Sequence, residues 1–162
     1  MVGMADMKVL KGEGRFTCLG LGSCIGIAAL DPVTQVGGML HVMLPEAFPG
    51  RVDEKPGKFA NTGVPAFVAE LERAGASRRR LRIALSGGAQ VFKFGEAAGP
   101  RMEIGARNGE AVAAALKLLG LRALAQDVGG NKGRTMVMTI ETGEVRVRTV
   151  SGEDKPLCSL AS

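Results

Sequence analysis

The sequence has no tryptophan and no tyrosine, and only six phenylalanines among its 162 residues. The aromatic platforms on which single-stranded nucleic acids stack are therefore missing, and no nucleic-acid partner is expected. Histidine occurs once, at position 41, so any imidazole acting as a general base near neutral pH must be His41. Cysteine occurs three times, as Cys18, Cys24 and Cys158. An odd count, with no apolar leader in residues 1–8, indicates reduced thiols and not a disulfide framework. Cys18 and Cys24 lack the short spacing of zinc ligands, and one histidine cannot complete a tetrahedral set with them, so no metal is expected. No apolar run approaches the roughly 18–20 residues that span a bilayer. The expected location is the cytoplasm, without membrane insertion.

What is present suits one hydrophobic core that needs no staples. The expectation is a single domain over residues 1–150, a polar C-terminal tail over 151–162, and a monomer. Lysine and arginine number 21 against 16 aspartates and glutamates, a net charge of +5. Much of the excess lies in Ser77-Arg78-Arg79-Arg80-Leu81-Arg82, which reads as a solvated connector. Glycine is abundant, at 24 residues, and its clusters punctuate strands and tight loops.

Residues 7–10 suit an edge strand. Residues 45–57 combine proline, glycine and charge, a loop placed to border a site and move over it. Phe67, Val68, Leu71 and Ala74 at helical spacing, closed by Gly75, mark a helix over about 58–74. Residues 81–86 alternate like a strand, and 90–101 carry no clear pattern. Asn108 suits the N-cap of a second helix whose buried stripe is Val112, Leu116 and Leu119. A short strand over 122–127, a glycine-rich loop over 129–134 and strands over 135–140 and 144–150 follow, the last alternating valine with charge. Strands outnumber helices, which gives an α+β class with antiparallel pairs and helices on an outer face.

The chemistry concentrates in Leu19-Gly20-Leu21-Gly22-Ser23-Cys24 and the segment that returns past it, Gly37-Gly38-Met39-Leu40-His41-Val42-Met43-Leu44-Pro45. Between them run an apolar strand, residues 25–30, and Asp31-Pro32-Val33-Thr34, which suits a type I turn. A reversal about Pro32 and Val33 sets Cys24 opposite His41, with Cβ atoms roughly 4.5–5.5 Å apart. A bulge at Gly37-Gly38 is the alternative that slips this register. A thiol beside the only imidazole is the arrangement of a cysteine nucleophile, and N–H groups freed around Gly22, Ser23 and Cys24 suit an oxyanion. Two glycine loops do not carry nucleotides. Gly20-Leu21-Gly22 has Ile25 where the dinucleotide fingerprint needs glycine, and the 129–134 loop lacks the Gly-Lys-Ser/Thr ending of a phosphate loop.

These segments, together with Lys58-Phe59-Ala60-Asn61, Ser86-Gly87-Gly88-Ala89, Ile104-Gly105-Ala106-Arg107-Asn108 and Asp127-Val128-Gly129-Gly130-Asn131-Lys132-Gly133-Arg134, resemble the signature of the chemoreceptor glutamine deamidase family, CheD. The likeness runs in order through nearly the whole chain. It implies hydrolysis of glutamine side-chain amides to glutamates on methyl-accepting chemotaxis receptors, sometimes with methylesterase activity, and without a cofactor. It implies a sandwich of mixed, largely antiparallel sheets with helices packed outside, similar to the catalytic domains of deamidating toxins. It also implies a CheC-type phosphatase as a partner in many systems. Cys24 is then the nucleophile and His41 its base. The family's histidine-orienting threonine falls on Cys18, so the third group is expected to be the Cys18 backbone carbonyl or Thr17. Two rival readings share these residues: a non-catalytic module that docks receptors or a phosphatase, and a thiol amidase for small molecules.

Overall fold

The computed structural model describes residues 1–47, 55–90 and 104–161. In chain order its strands are β1 (Met7–Lys11), β2 (Arg15–Leu21), β3 (Ile25–Asp31), β4 (Val36–Val42), β5 (Arg82–Gly87), β6 (Ala125–Val128), β7 (Arg134–Thr139), β8 (Glu144–Thr149) and β9 (Asp154–Ser159). Helix α1 (Ala60–Arg73) precedes β5 and helix α2 (Ile104–Leu118) follows it. The first sheet has the order β1-β4-β3-β5-β6, with β5 and β6 parallel, and the second has the antiparallel order β2-β7-β8-β9. The expected α+β sandwich is therefore present. Among the described residues, no helix is long and apolar enough to cross a membrane.

Three layers follow from which faces are apolar. Ile25, Ile27, Leu40 and Val42 pack with Phe67, Val68 and Leu71 of α1 and with Val112 and Leu116 of α2. The opposite face of the same strands presents Ala28, Leu30 and Met39 to Phe16, Cys18 and Leu21 of β2 and to Met136 and Met138 of β7. Because β3 and β4 are covered on both faces, they read as continuous apolar runs, whereas β8 alternates buried valine with charge. Gly38 permits the tight stacking at the first sheet's edge. A Cβ there would meet the Lys8 carbonyl at 2.7 Å and the Phe67 ring at 2.8 Å.

Several expectations are corrected. The β3–β4 register sets Gly26, not Cys24, opposite His41. The reversal is longer than a turn about Pro32 and Val33, because Asp31 still pairs with Val36. The loop between them closes through Gln35 N–H to the Asp31 carbonyl at 2.9 Å, with Gln35 at φ +58° and the Asp31 side chain accepting the Val33 N–H at 2.9 Å. The register runs unbroken past Gly37 and Gly38, without a bulge. Asn108 is not an N-cap but lies inside α2, fully buried. The segment read as a tail supplies β9, and Leu160 is buried in the inter-sheet core. The connector over 77–82 is also more than solvated surface, since Arg80 pairs with the buried Asp31 at 2.9 Å. Most of the loop expected over 45–57, and residues 91–103, lie outside the described residues.

Candidate active site

Side chains alternate along a strand. On β4, Leu40 and Val42 face the helices and Met39 faces the second sheet, so His41 faces the second sheet. It is 3% exposed, and its Nδ1 lies 3.2 Å from the Val2 carbonyl. A carbonyl can only accept, so Nδ1 carries the proton and Nε2 holds the free lone pair. Nε2 is buried and has no hydrogen-bond partner among the described residues. Burial pushes the imidazole below its ordinary value of 6.5, against the opposing pull of the Val2 carbonyl and Asp6. At neutral pH the ring is a neutral base with its lone pair on Nε2.

The segment before β1 holds this arrangement as a strap. Val2 is buried, and its N–H donates to the Thr17 carbonyl at 2.8 Å. Ala5 N–H donates to the His41 carbonyl at 2.9 Å, and His41 N–H donates to the Asp6 carbonyl at 3.1 Å. Lys55 pairs with Asp6 at 2.9 Å.

Cys24 is half-buried at the entry to β3. It precedes by two residues the Gly26 that faces His41, so thiol and imidazole share a face as diagonal neighbours, about 7–8 Å apart at Cβ or somewhat less. The two-residue shift in register keeps that shared face; a one-residue shift would have lost it. The loop carrying Cys24 is tied through its carbonyls. The Gly22 carbonyl accepts from Ala89 N–H at 2.8 Å, that of Ser23 from Asn108 Nδ2 at 2.8 Å, and that of Cys24 from Gly88 N–H at 2.9 Å. Gly87, at φ +112°, lies so close that a Cβ there would collide with the Cys24 carbonyl. Among the described residues, no hydrogen-bond acceptor is found for the N–H group of Ser23 or for that of Cys24. Burial pushes the Cys24 thiol above its ordinary 9.0, and its own N–H opposes the shift. The site at rest is a neutral thiol, a neutral imidazole and two free N–H donors, a set suited to acyl transfer.

Neither group expected to orient His41 is the partner of its ring. Thr17 is half-buried, and it lines a groove on the outer face of the second sheet with Arg15, Leu19 and Arg146; its carbonyl supports Val2 one bond away from the ring. Cys18 is fully buried, and its sulfur overhangs Gly26, 3.5 Å from where a Cβ would sit. Burial and the neighbouring Cys24 push its thiol up to about 12. The groups that sequence reasoning missed are the Val2 carbonyl, which no local pattern marks, and the Asn108 carboxamide. The latter had a signal in retrospect, as a polar residue four positions before Val112, the first valine of an apolar helical stripe.

Residues 43–149, beginning just past His41, match the family model described as CheD chemotactic sensory transduction. The chain is 45% identical over 154 residues to the probable chemoreceptor glutamine deamidase CheD of Desulforamulus reducens, covering 92% of this chain and 89% of that one. It is 48% identical over 151 residues to the protein of the same name from Symbiobacterium thermophilum, covering 92% and 91%. To the chemoreceptor glutamine deamidase CheD of Thermotoga maritima it is 44% identical over 155 residues, covering 96% and 94%.

Proposed function

This chain belongs to the CheD family, and from that premise we propose that it is a cysteine-dependent protein-glutamine deamidase acting on chemoreceptors. The observation that carries the reading is His41 held by Nδ1 on the Val2 carbonyl, with Nε2 unpartnered on the face that Cys24 shares. Nε2 takes the Cys24 proton as the sulfur attacks the glutamine carboxamide carbon. The N–H groups of Ser23 and Cys24, on the loop that begins at Gly22, receive the negative charge on oxygen. The imidazolium returns its proton to the amide nitrogen, the C–N bond breaks, and ammonia leaves a γ-glutamyl thioester. His41 then takes a proton from water as it adds to the thioester carbon. Collapse expels the Cys24 sulfur, which regains the proton, and glutamate is released.

Methyl esters of glutamate fit the same steps with methanol as the leaving group. Cytoplasmic location, a monomeric state and a CheC-type phosphatase partner belong to the same reading. The test is mass spectrometry of a receptor cytoplasmic fragment after incubation with wild type, Cys24→Ala and His41→Ala. Specific glutamines become glutamate with wild type alone. Binding without conversion sinks the catalytic reading for that substrate and leaves a docking module.

A further inference from the structure

We infer that Asn108 is a positioning residue of this site, a side chain that ties the nucleophile's loop to the histidine's strand; the inference rests on the deamidase reading and deepens it. Asn108 is fully buried on α2, with the next inward positions of that helix taken by Val112, Ala115 and Leu116. A carboxamide buried among such neighbours is costly unless it is hydrogen-bonded. Its Nδ2 donates to the Ser23 carbonyl at 2.8 Å and to the Met43 carbonyl at 2.9 Å. Ser23 immediately precedes Cys24, and Met43 stands two residues after His41. Two carbonyl acceptors require the NH2 side of the amide, which settles its orientation.

The consequence for chemistry comes from the planarity of the peptide group. No peptide bond among the described residues is cis, so the Ser23 carbonyl and the Cys24 N–H point in opposite directions from one rigid unit. Holding that carbonyl on α2 aims the Cys24 N–H away from the helix, as a donor beside the thiol for the substrate oxygen that becomes the oxyanion. Gly105, one turn before Asn108, allows the helix to come this near: a Cβ there would collide with the carbonyls of Gly88 and Ala89. The same carboxamide, through Met43, fixes the end of β4 relative to that peptide. One side chain thereby sets both the oxyanion donor and the distance between thiol and base.

The experiment compares wild type, Asn108→Asp, Asn108→Ala and Asn108→Ser. Asp keeps the shape and, when ionised, offers no donor; Ala removes the group; Ser can donate to one carbonyl only. In variants shown to be folded by circular dichroism, kcat for receptor deamidation falls about 10–100-fold in Asp and Ala, less than the loss of an oxyanion donor itself. KM changes by less than about twofold, because ground-state binding is untouched. Ser falls between Ala and wild type. The rate of Cys24 alkylation by iodoacetamide near neutral pH, where the thiol is protonated and His41 must accept its proton, then falls in the Asp and Ala variants toward that of His41→Ala. Folded variants that keep wild-type kcat and the wild-type alkylation profile overturn the inference. If wild type deamidates nothing, the deamidase reading fails by itself, and the alkylation profiles still decide the role of Asn108. A third measurement needs no variant: the Asn108 side-chain amide protons exchange slowly in D2O, and fast exchange in the wild-type protein overturns the clamp.

Discussion

Which nitrogen of His41 can act is decided by an oxygen that carries no side-chain chemistry. With Nδ1–H directed at the Val2 carbonyl, the base is Nε2, and burial keeps it unprotonated at pH values where a solvated imidazole is half charged. The acid limb of kcat/KM against pH therefore lies below 6.5. Cys24 is shifted upward, so its alkylation rate inflects above pH 9.0 and shows no acid plateau. A plateau persisting to about pH 5 would mean a resting thiolate–imidazolium pair and would defeat this account. Cys18 supplies a second test at the same scale. Its thiol is buried, raised to about 12, and not bonded to the imidazole. Cys18→Ala should keep kcat within about threefold and cost about 1 kcal/mol of stability. A hundredfold loss of kcat would instead make Cys18 the group that holds the base.

At the scale of elements, the strap over residues 2–6 is part of the site, although it belongs to no strand. It exchanges hydrogen bonds with His41 through Ala5 and Asp6 and brings Val2 to the ring. Deleting residues 1–5 should lower kcat by about two orders of magnitude, the scale on which general base catalysis operates. Val2→Ala keeps the carbonyl; it should change kcat by less than about threefold while costing about 1–3 kcal/mol in chemical denaturation. Equal kcat losses in both would show that the Val2 side chain, not its carbonyl, matters. The contrast also explains what the sequence made legible. Helix α1, the edge strand β1 and the alternating β8 were visible because their signals are local: spacing, capping glycines, alternation. The β3–β4 hairpin was visible but not its register, since two extra turn residues, Thr34 and Gln35, after the expected pair change the partner without changing the pattern. The Val2 and Asn108 contacts span 39, 65 and 85 residues and end on backbone carbonyls, which every residue possesses. No residue type at 2, 23 or 43 could have announced them.

At the scale of the molecule, the hairpin bearing the site is anchored at its far end as well. Asp31 is fully buried at the turn, where it accepts the N–H groups of Val33, Thr34 and Ser77 and the Arg80 guanidinium. One carboxylate thus fastens the β3–β4 turn to the segment that leads from α1 into β5. Burial alone would raise its pKa, but Arg80 and the three N–H groups prevail and hold it well below the ordinary 3.8. A carboxylate depressed in the folded state stabilises fully above its unfolded pKa and loses that contribution as pH falls through the folded one. His41, also depressed, follows the same sign from a higher start: the unfolded chain takes up a proton near 6.5 that the folded chain refuses, so stability declines below that pH. Two acid windows result, one opening below 6.5 and one below 3.8. Asp31→Asn should cost about 2–3 kcal/mol at pH 7, toward the low end for a buried pair because the Arg80 side chain is 41% exposed and keeps water as an alternative. Urea denaturation of wild type and Asp31→Asn between pH 7 and 2 checks both claims. The gap between the two proteins stays constant from pH 7 to about 4 and narrows below it, while His41 bends both curves together below 6.5. A gap of the same size at pH 2 as at pH 7 would mean that Asp31 acts through shape and not charge, and the anchoring of the hairpin would need another cause.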